Sequence, residues 1–170
     1  LPGYLLDLSV EDIVTMNQVN YLGTVHVCKA VLPAMVQNGR GHIVNTSSLG
    51  GLMGLFGYTG YCGSKYAVVG FSEALRREVA GQKVRVSVLC PPNTKTPGLD
   101  QENLRKPREV LAQEEQVKVL EPAQVASYTL KVLPKNPSLI IPSLDGRWAH
   151  RLGRFAPSIL GLFLKRPPAP

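Results

Sequence analysis

Only three cysteines, Cys28, Cys62 and Cys90, occur in the 170 residues, and none stands in a Cys-x-x-Cys pair or among histidines. That spacing excludes a disulfide framework and a zinc site, leaves no metal-ligand set, and points to a reducing compartment. Acidic residues are also few: 19 Lys and Arg face 12 Asp and Glu, for a net charge of +7. The surplus is spread along the chain with no basic run interleaved with aromatics, so no nucleic-acid partner is expected. No internal repeat is visible, and low complexity is confined to the end at Pro167, Pro168 and Pro170. No secretory leader is visible at Leu1, and the expected location is the cytoplasm. A hydrophobic content of 44% can supply a sizeable core for one domain.

The densest positive charge is C-terminal. Residues 147–170 carry Arg147, Arg151, Arg154, Lys165 and Arg166 and no Asp or Glu. Between Arg154 and Lys165 lies an uncharged stretch, Phe155 to Leu164, too short to span a bilayer. Such a tail can lie in the interface of an anionic membrane through residues 151–166, at a cytosolic face that in a eukaryote would be the endoplasmic reticulum. It can equally pack on its own domain or on a partner subunit.

An alternation of helices and strands organises residues 1–146. Ser9, with Asp12 three residues on, predicts the start of a helix from Val10 to about Gln37, stopped by Asn38-Gly39. A strand over about Gly41–Ser47, a helix from Tyr58 to about Ala80 and a strand over Val84–Cys90 follow. A helix near Pro122–Leu133 and a short strand at Ser138–Ile141 complete the pattern, which implies an α/β fold with a parallel sheet and helices on both faces. Ligands of such sheets bind at the carboxyl ends of the strands. Ser48 and the loop from Pro91 stand there.

Tyr61-Cys62-Gly63-Ser64-Lys65 carries the chemistry. Residues four apart share a helix face, so the Tyr61 phenol and the Lys65 ammonium can reach one reacting group. A nearby cation favours the phenolate, which lets a tyrosine exchange a proton near neutral pH. Tyr-x-x-x-Lys alone also describes a snorkelling surface pair. Ser48, thirteen residues before Tyr61 at the end of an apolar run, changes that reading. The glycine-punctuated crossing Gly50 to Gly57 could carry it to Tyr61. Asn20 lies upstream in the long helix, and Pro91-Pro92-Asn93-Thr94-Lys95-Thr96 follows the second apolar run.

With these four features in this order, the chain resembles the short-chain dehydrogenase/reductase family. That resemblance implies the C-terminal part of a Rossmann-type doubly wound parallel sheet over residues 1–146, and a catalytic tetrad of Asn20, Ser48, Tyr61 and Lys65. It implies NADPH as cofactor, NAD not being excluded, contacted by Tyr61, Lys65, Pro91, Thr94 and Thr96. Lys65 would lower the tyrosine pKa and hold the nicotinamide ribose, and Asn20 would hold a water. Each residue has a plainer reading too: Asn20 as a buried amide, Ser48 as a cap, Thr94 and Thr96 as turn chemistry. The branch most alike reduces a long-chain lipid ketone of sphingolipid synthesis. Residues 97–121 would be its substrate-covering lid, or an ordinary solvated excursion. Helices equivalent to Val10–Gln37 and Tyr58–Ala80 pair subunits in the family, implying a homo-oligomer. The family's glycine-rich turn and Asn-Asn-Ala-Gly segment are absent, so Leu1 is expected to fall just after the fourth strand. The alternative expectation is a truncated, non-catalytic binding or scaffold module.

Overall fold

The computed structural model describes residues 1–115 and 117–155; the uncharged stretch after Phe155 and the basic residues beyond it lie outside them. Ser9 starts the first helix as its sequence predicts. Its hydroxyl accepts the Asp12 N–H while the Asp12 carboxylate accepts the Ser9 N–H, satisfying two orphan donors reciprocally. Helix α1 (Val10–Asn17) continues through a π-helical turn (Gln18–Leu22) into α2 (Gly23–Gln37). The sequence reads as one regular helix, and the π turn is the departure from it. The stop at Asn38-Gly39 is a Schellman closure, in which Gly39 at φ 61° donates to the Val36 carbonyl and Arg40 to that of Met35.

Three parallel strands, β1 (Gly41–Thr46), β2 (Val84–Leu89) and β3 (Leu139–Ile140), form a sheet in that order. β1 and β2 pair from Gly41 with Val84 to Thr46 with Leu89, and β3 pairs Leu139 with Val88. α3 (Thr59–Glu78) is the crossover from β1 to β2. Three helices lie between β2 and β3: α4 (Pro97–Asn103), α5 (Arg108–Glu114) and α6 (Pro122–Val132). α7 (Leu144–Phe155) closes the described chain and runs across residue 146, where composition alone divides domain from tail.

α2 and α3 bury Cys28, Leu75 and Val79 against Ile43, Val84 and Val86 of the sheet. Each fully buried aliphatic side chain there contributes about 1.5–3 kcal/mol. A polar chain runs through the same layer. Asn45 Nδ2 donates to Ser72 Oγ at 2.8 Å, Asn45 Oδ1 accepts the Cys28 thiol at 3.4 Å, and Ser72 donates to the Val68 carbonyl at 2.7 Å. A buried amide left unpartnered is penalised, so this chain allows one setting of β1 against α2 and α3. The carboxyl end of β1 is thereby fixed relative to the middle of α3.

Candidate active site

Ser47, just beyond β1, is tied twice: its N–H donates to the Leu89 carbonyl at 2.7 Å and its hydroxyl to the Lys65 carbonyl at 2.9 Å. Ser48 is extended, and its Oγ accepts the Gly50 N–H at 3.1 Å, opening a 3-10 turn over Leu49–Gly51. The glycines of this turn are set by space. A Cβ on Gly51 would strike the Ser47 hydroxyl and lie 2.8 Å from the Lys65 carbonyl oxygen, and one on Gly50 would lie 3.3 Å from the Tyr61 ring. The crossing therefore presses Ser48 against α3, where its cap and its closeness to Tyr61 coexist.

Tyr61 and Lys65 share a face of α3. Lys65 Nζ lies 5.7 Å from the Tyr61 ring centroid and donates to the Thr46 carbonyl at 3.4 Å. Burial raises the Tyr61 phenol above its ordinary value; the Ser48 hydroxyl works against that rise, and Glu102, Cys62 and Cys90 add to it. Burial likewise lowers the Lys65 ammonium, with Cys90 opposing. The ammonium sits over the ring face, and removal from water is the largest influence on the phenol. At neutral pH the phenol keeps its proton and can give it.

Asn20 lies in the π turn, and its Nδ2 donates to Ser64 Oγ at 3.0 Å; Ser64 in turn donates to the Tyr61 carbonyl at 2.7 Å. The Thr24 hydroxyl donates to the Asn20 carbonyl at 2.7 Å, filling an acceptor in the widened turn. π turns recur at functional sites because they re-aim one side chain. Asn20 thus reaches α3 through Ser64, a fully buried residue that sequence reasoning passed over. A small hydroxyl one turn after Tyr61 was its only signal.

The Pro91 carbonyl accepts the Leu49 N–H at 3.1 Å, which holds the loop after β2 beside the 3-10 turn. The Thr94 hydroxyl donates to the Pro92 carbonyl at 2.9 Å, and Thr96 Oγ1 caps α4 by accepting the Leu99 N–H at 3.2 Å. Both hydroxyls are engaged in local structure. Cys62 is buried and raised by that burial, and Cys90 is pushed up to about 12, so neither is a reactive thiolate. Lys65 has a single carbonyl partner among the described residues, which leaves its ammonium with donors to spare on the Tyr61 face of α3.

The polar segment after the loop also reaches this site. Val110 of α5 is buried with Tyr58 and Cys62, and Leu55 and Tyr61 pack around them. Next to it the Tyr58 hydroxyl lies 2.7 Å from Glu102 Oε1 and 2.9 Å from Glu114 Oε1, with one proton shared between the two carboxylates. Lys106, its side chain 1% exposed, lies 2.6 Å from Glu114 and 3.3 Å from Glu102. The Glu102–Lys106 spacing of four was legible; its burial was not.

Residues 2–107 match the model of the short chain dehydrogenase family. The chain is 43% identical over 128 residues to the 3-ketodihydrosphingosine reductase of Dictyostelium discoideum, covering 74% of this chain and 38% of that protein. It spans well under half the length of such curated relatives, 38% and 40% of two of them. A short chain dehydrogenase/reductase from Burkholderia phymatum, crystallised in complex with NAD, superposes with a TM-score of 0.77 at 26% identity over 99% of this chain and 65% of that one. A short chain dehydrogenase from Burkholderia cenocepacia, crystallised with NADP, gives a TM-score of 0.80 at 21% identity over 98% and 64%. The three strands and their helices are the C-terminal part of a Rossmann-type doubly wound sheet. With more than half of its residues matched by the family model, the chain belongs to the short-chain dehydrogenase/reductase family.

Proposed function

We propose that this chain is the catalytic half of an NADPH-dependent reductase that converts the ketone of a long-chain lipid, of the 3-ketodihydrosphingosine kind, to an alcohol. One observation carries the reading: a phenol that keeps its proton, Tyr61, stands beside Ser48 and under Lys65 at the carboxyl end of the sheet. The substrate class is supported by the names of the relatives. The choice of NADPH over NAD follows the family resemblance.

A nicotinamide cofactor, when bound, supplies the hydride. Tyr61 gives its proton to the ketone oxygen, so the developing alkoxide does not carry a full charge; general acid catalysis of this kind contributes about 10²–10⁴-fold. Ser48 donates to the same oxygen and fixes its position. Lys65 would hold the ribose hydroxyls, and the backbone of Pro91–Thr96 would line the nicotinamide. Asn20, through Ser64, holds the turn of α3 that carries Tyr61. Val110 packs in the apolar cluster that borders Tyr61, on the side from which a lid would limit access of water. Joined to a dinucleotide-binding half, the chain is expected to consume NADPH in the presence of a long-chain 3-keto amine, followed by loss of NADPH absorbance. No turnover with either nicotinamide would replace this reading with a binding or scaffold module.

The same proposal puts the enzyme at the cytosolic face of a membrane. Leu144, Trp148 and Phe155 are 69%, 62% and 80% exposed on α7 and recur at helical spacing, with Arg151 over the Trp148 ring and Arg154 nearby. An apolar stripe bordered by cations suits an anionic lipid interface. Trp148 is the chain's one tryptophan. Its emission is expected to shift to the blue with phosphatidylserine vesicles, and to return as salt screens the charges; an unchanged spectrum at low salt would withdraw the membrane contact.

A further inference from the structure

Around Tyr58, a buried Lys106 and the half-buried Glu102 and Glu114 are mutually satisfied and unused by the chemistry proposed above. Four pieces of chain meet there. Tyr58 is the N-cap position of α3, three residues before Tyr61; Asn93 belongs to the loop after β2; Glu102 and Lys106 flank the end of α4; Glu114 ends α5. Glu114 gathers most of the contacts. Its Oε1 accepts the Tyr58 hydroxyl at 2.9 Å, and its Oε2 accepts Asn93 Nδ2 at 3.0 Å and Lys106 Nζ at 2.6 Å. Lys106 also donates to Asn103 Oδ1 at 2.7 Å. Two carboxylates facing one ammonium leave an excess negative charge, which the Tyr58 and Asn93 donors stabilise. Burial and the two carboxylates hold the Tyr58 phenol far above its ordinary value, so it remains a donor.

An apolar contact completes the closure. Val110 enters the Tyr58, Cys62 and Tyr61 cluster through a gap that exists because residue 57 is glycine: its φ is 74°, and a Cβ there would strike the Val110 side chain. We propose that Tyr58, Lys106 and Glu114 are positioning residues that latch α4 and α5 down over Tyr61, so that the strength of this buried cluster sets how firmly a ketone is retained beside the phenol. The retention of a ketone rests on the reductase reading; the latch itself does not. An ionic and hydrogen-bonded catch loosens as a unit, because losing one member leaves its neighbours short of a partner. Helices of seven residues each have little stability of their own, so their closure depends on such contacts.

Hydrogen exchange on the 170-residue chain tests the latch without any reaction. Tyr58→Phe removes one oxygen and keeps the ring, and Lys106→Met removes the charge and keeps the length. Both are expected to speed exchange of the amides in residues 97–114 by about tenfold or more, with β1 and α3 amides unchanged and with Lys106→Arg close to the parent. If Lys106→Met does not fold, Tyr58→Phe alone decides. Parent-like exchange over 97–114 in the folded variants would overturn the latch. In an enzyme that carries the dinucleotide-binding half, Tyr58→Phe is expected to raise KM for the ketone about tenfold with kcat within about twofold. A fall in kcat at constant KM would place the effect in the transition state and not in retention of the ketone, and would overturn the positioning role. Absence of ketone reduction in the parent would remove the proposed function, and exchange would still judge the latch.

Discussion

Tyr61→Phe, in an enzyme completed by its dinucleotide-binding half, should reduce ketone about a thousandfold more slowly than the parent, with cofactor binding retained. The variant loses only the hydroxyl. The ring keeps its edge contact with Tyr58, at 5.8 Å between centroids, and its packing with Cys62 and Val110, so the fold has little reason to change. What goes is the phenol proton donor set beside Ser48. Because burial holds the phenol above its ordinary value of 10.0, the donor form persists through neutral pH, and the parent's reduction rate should fall only as pH rises through that raised value. Measuring kcat/KM and cofactor affinity together separates chemistry from binding. A variant as fast as the parent would sink the mechanism.

The second large effect belongs to a glycine. Gly51→Ala should destabilise the chain by about 1–3 kcal/mol, because the new methyl meets atoms that cannot give way. Its neighbours are the Ser47 hydroxyl and the Lys65 carbonyl, the latter 2.8 Å away and locked inside α3. Any relief must move the 3-10 turn off the helix, taking Ser48 from Tyr61, or break the Ser47 bond to Lys65. Gly63→Ala is the control: it lies within α3 with nothing near its added methyl, and there alanine should stabilise by about 0.5–1 kcal/mol. Urea midpoints of the two variants should move in opposite directions. Equal midpoints would mean that the turn does not bear on the helix.

Much of this was legible in the residues. Ser9 with Asp12, and Asn38 with Gly39, bracket the long helix because capping is local chemistry, decided within five residues. The parallel strands followed from apolar runs separated by helical segments. Tyr61 and Lys65 fell on one face because spacing fixes direction. Spacing does not fix depth, however: the burial that raises the phenol is a property of the assembled structure. Residues 97–121 read as a lid or as a solvated excursion, and nothing local says that Val110 will dock and bring Lys106 inside. In α7 the basic composition of the tail obscured the four-and-three recurrence of Leu144, Trp148, Arg151 and Phe155. The π turn leaves no mark in composition at all.

That turn has a bearing on the whole 28-residue helix from Val10 to Gln37. Its fully covered side chains are Met16, near the front, and Cys28, toward the back, twelve positions apart. At about 100° per residue a uniform winding would put them roughly 120° out of phase, whereas a wide turn that absorbs one residue brings the mismatch down to about 20°. One surplus residue therefore lets a single rod press the same side inward along its length, against Gly60 at one end and Asn45 at the other.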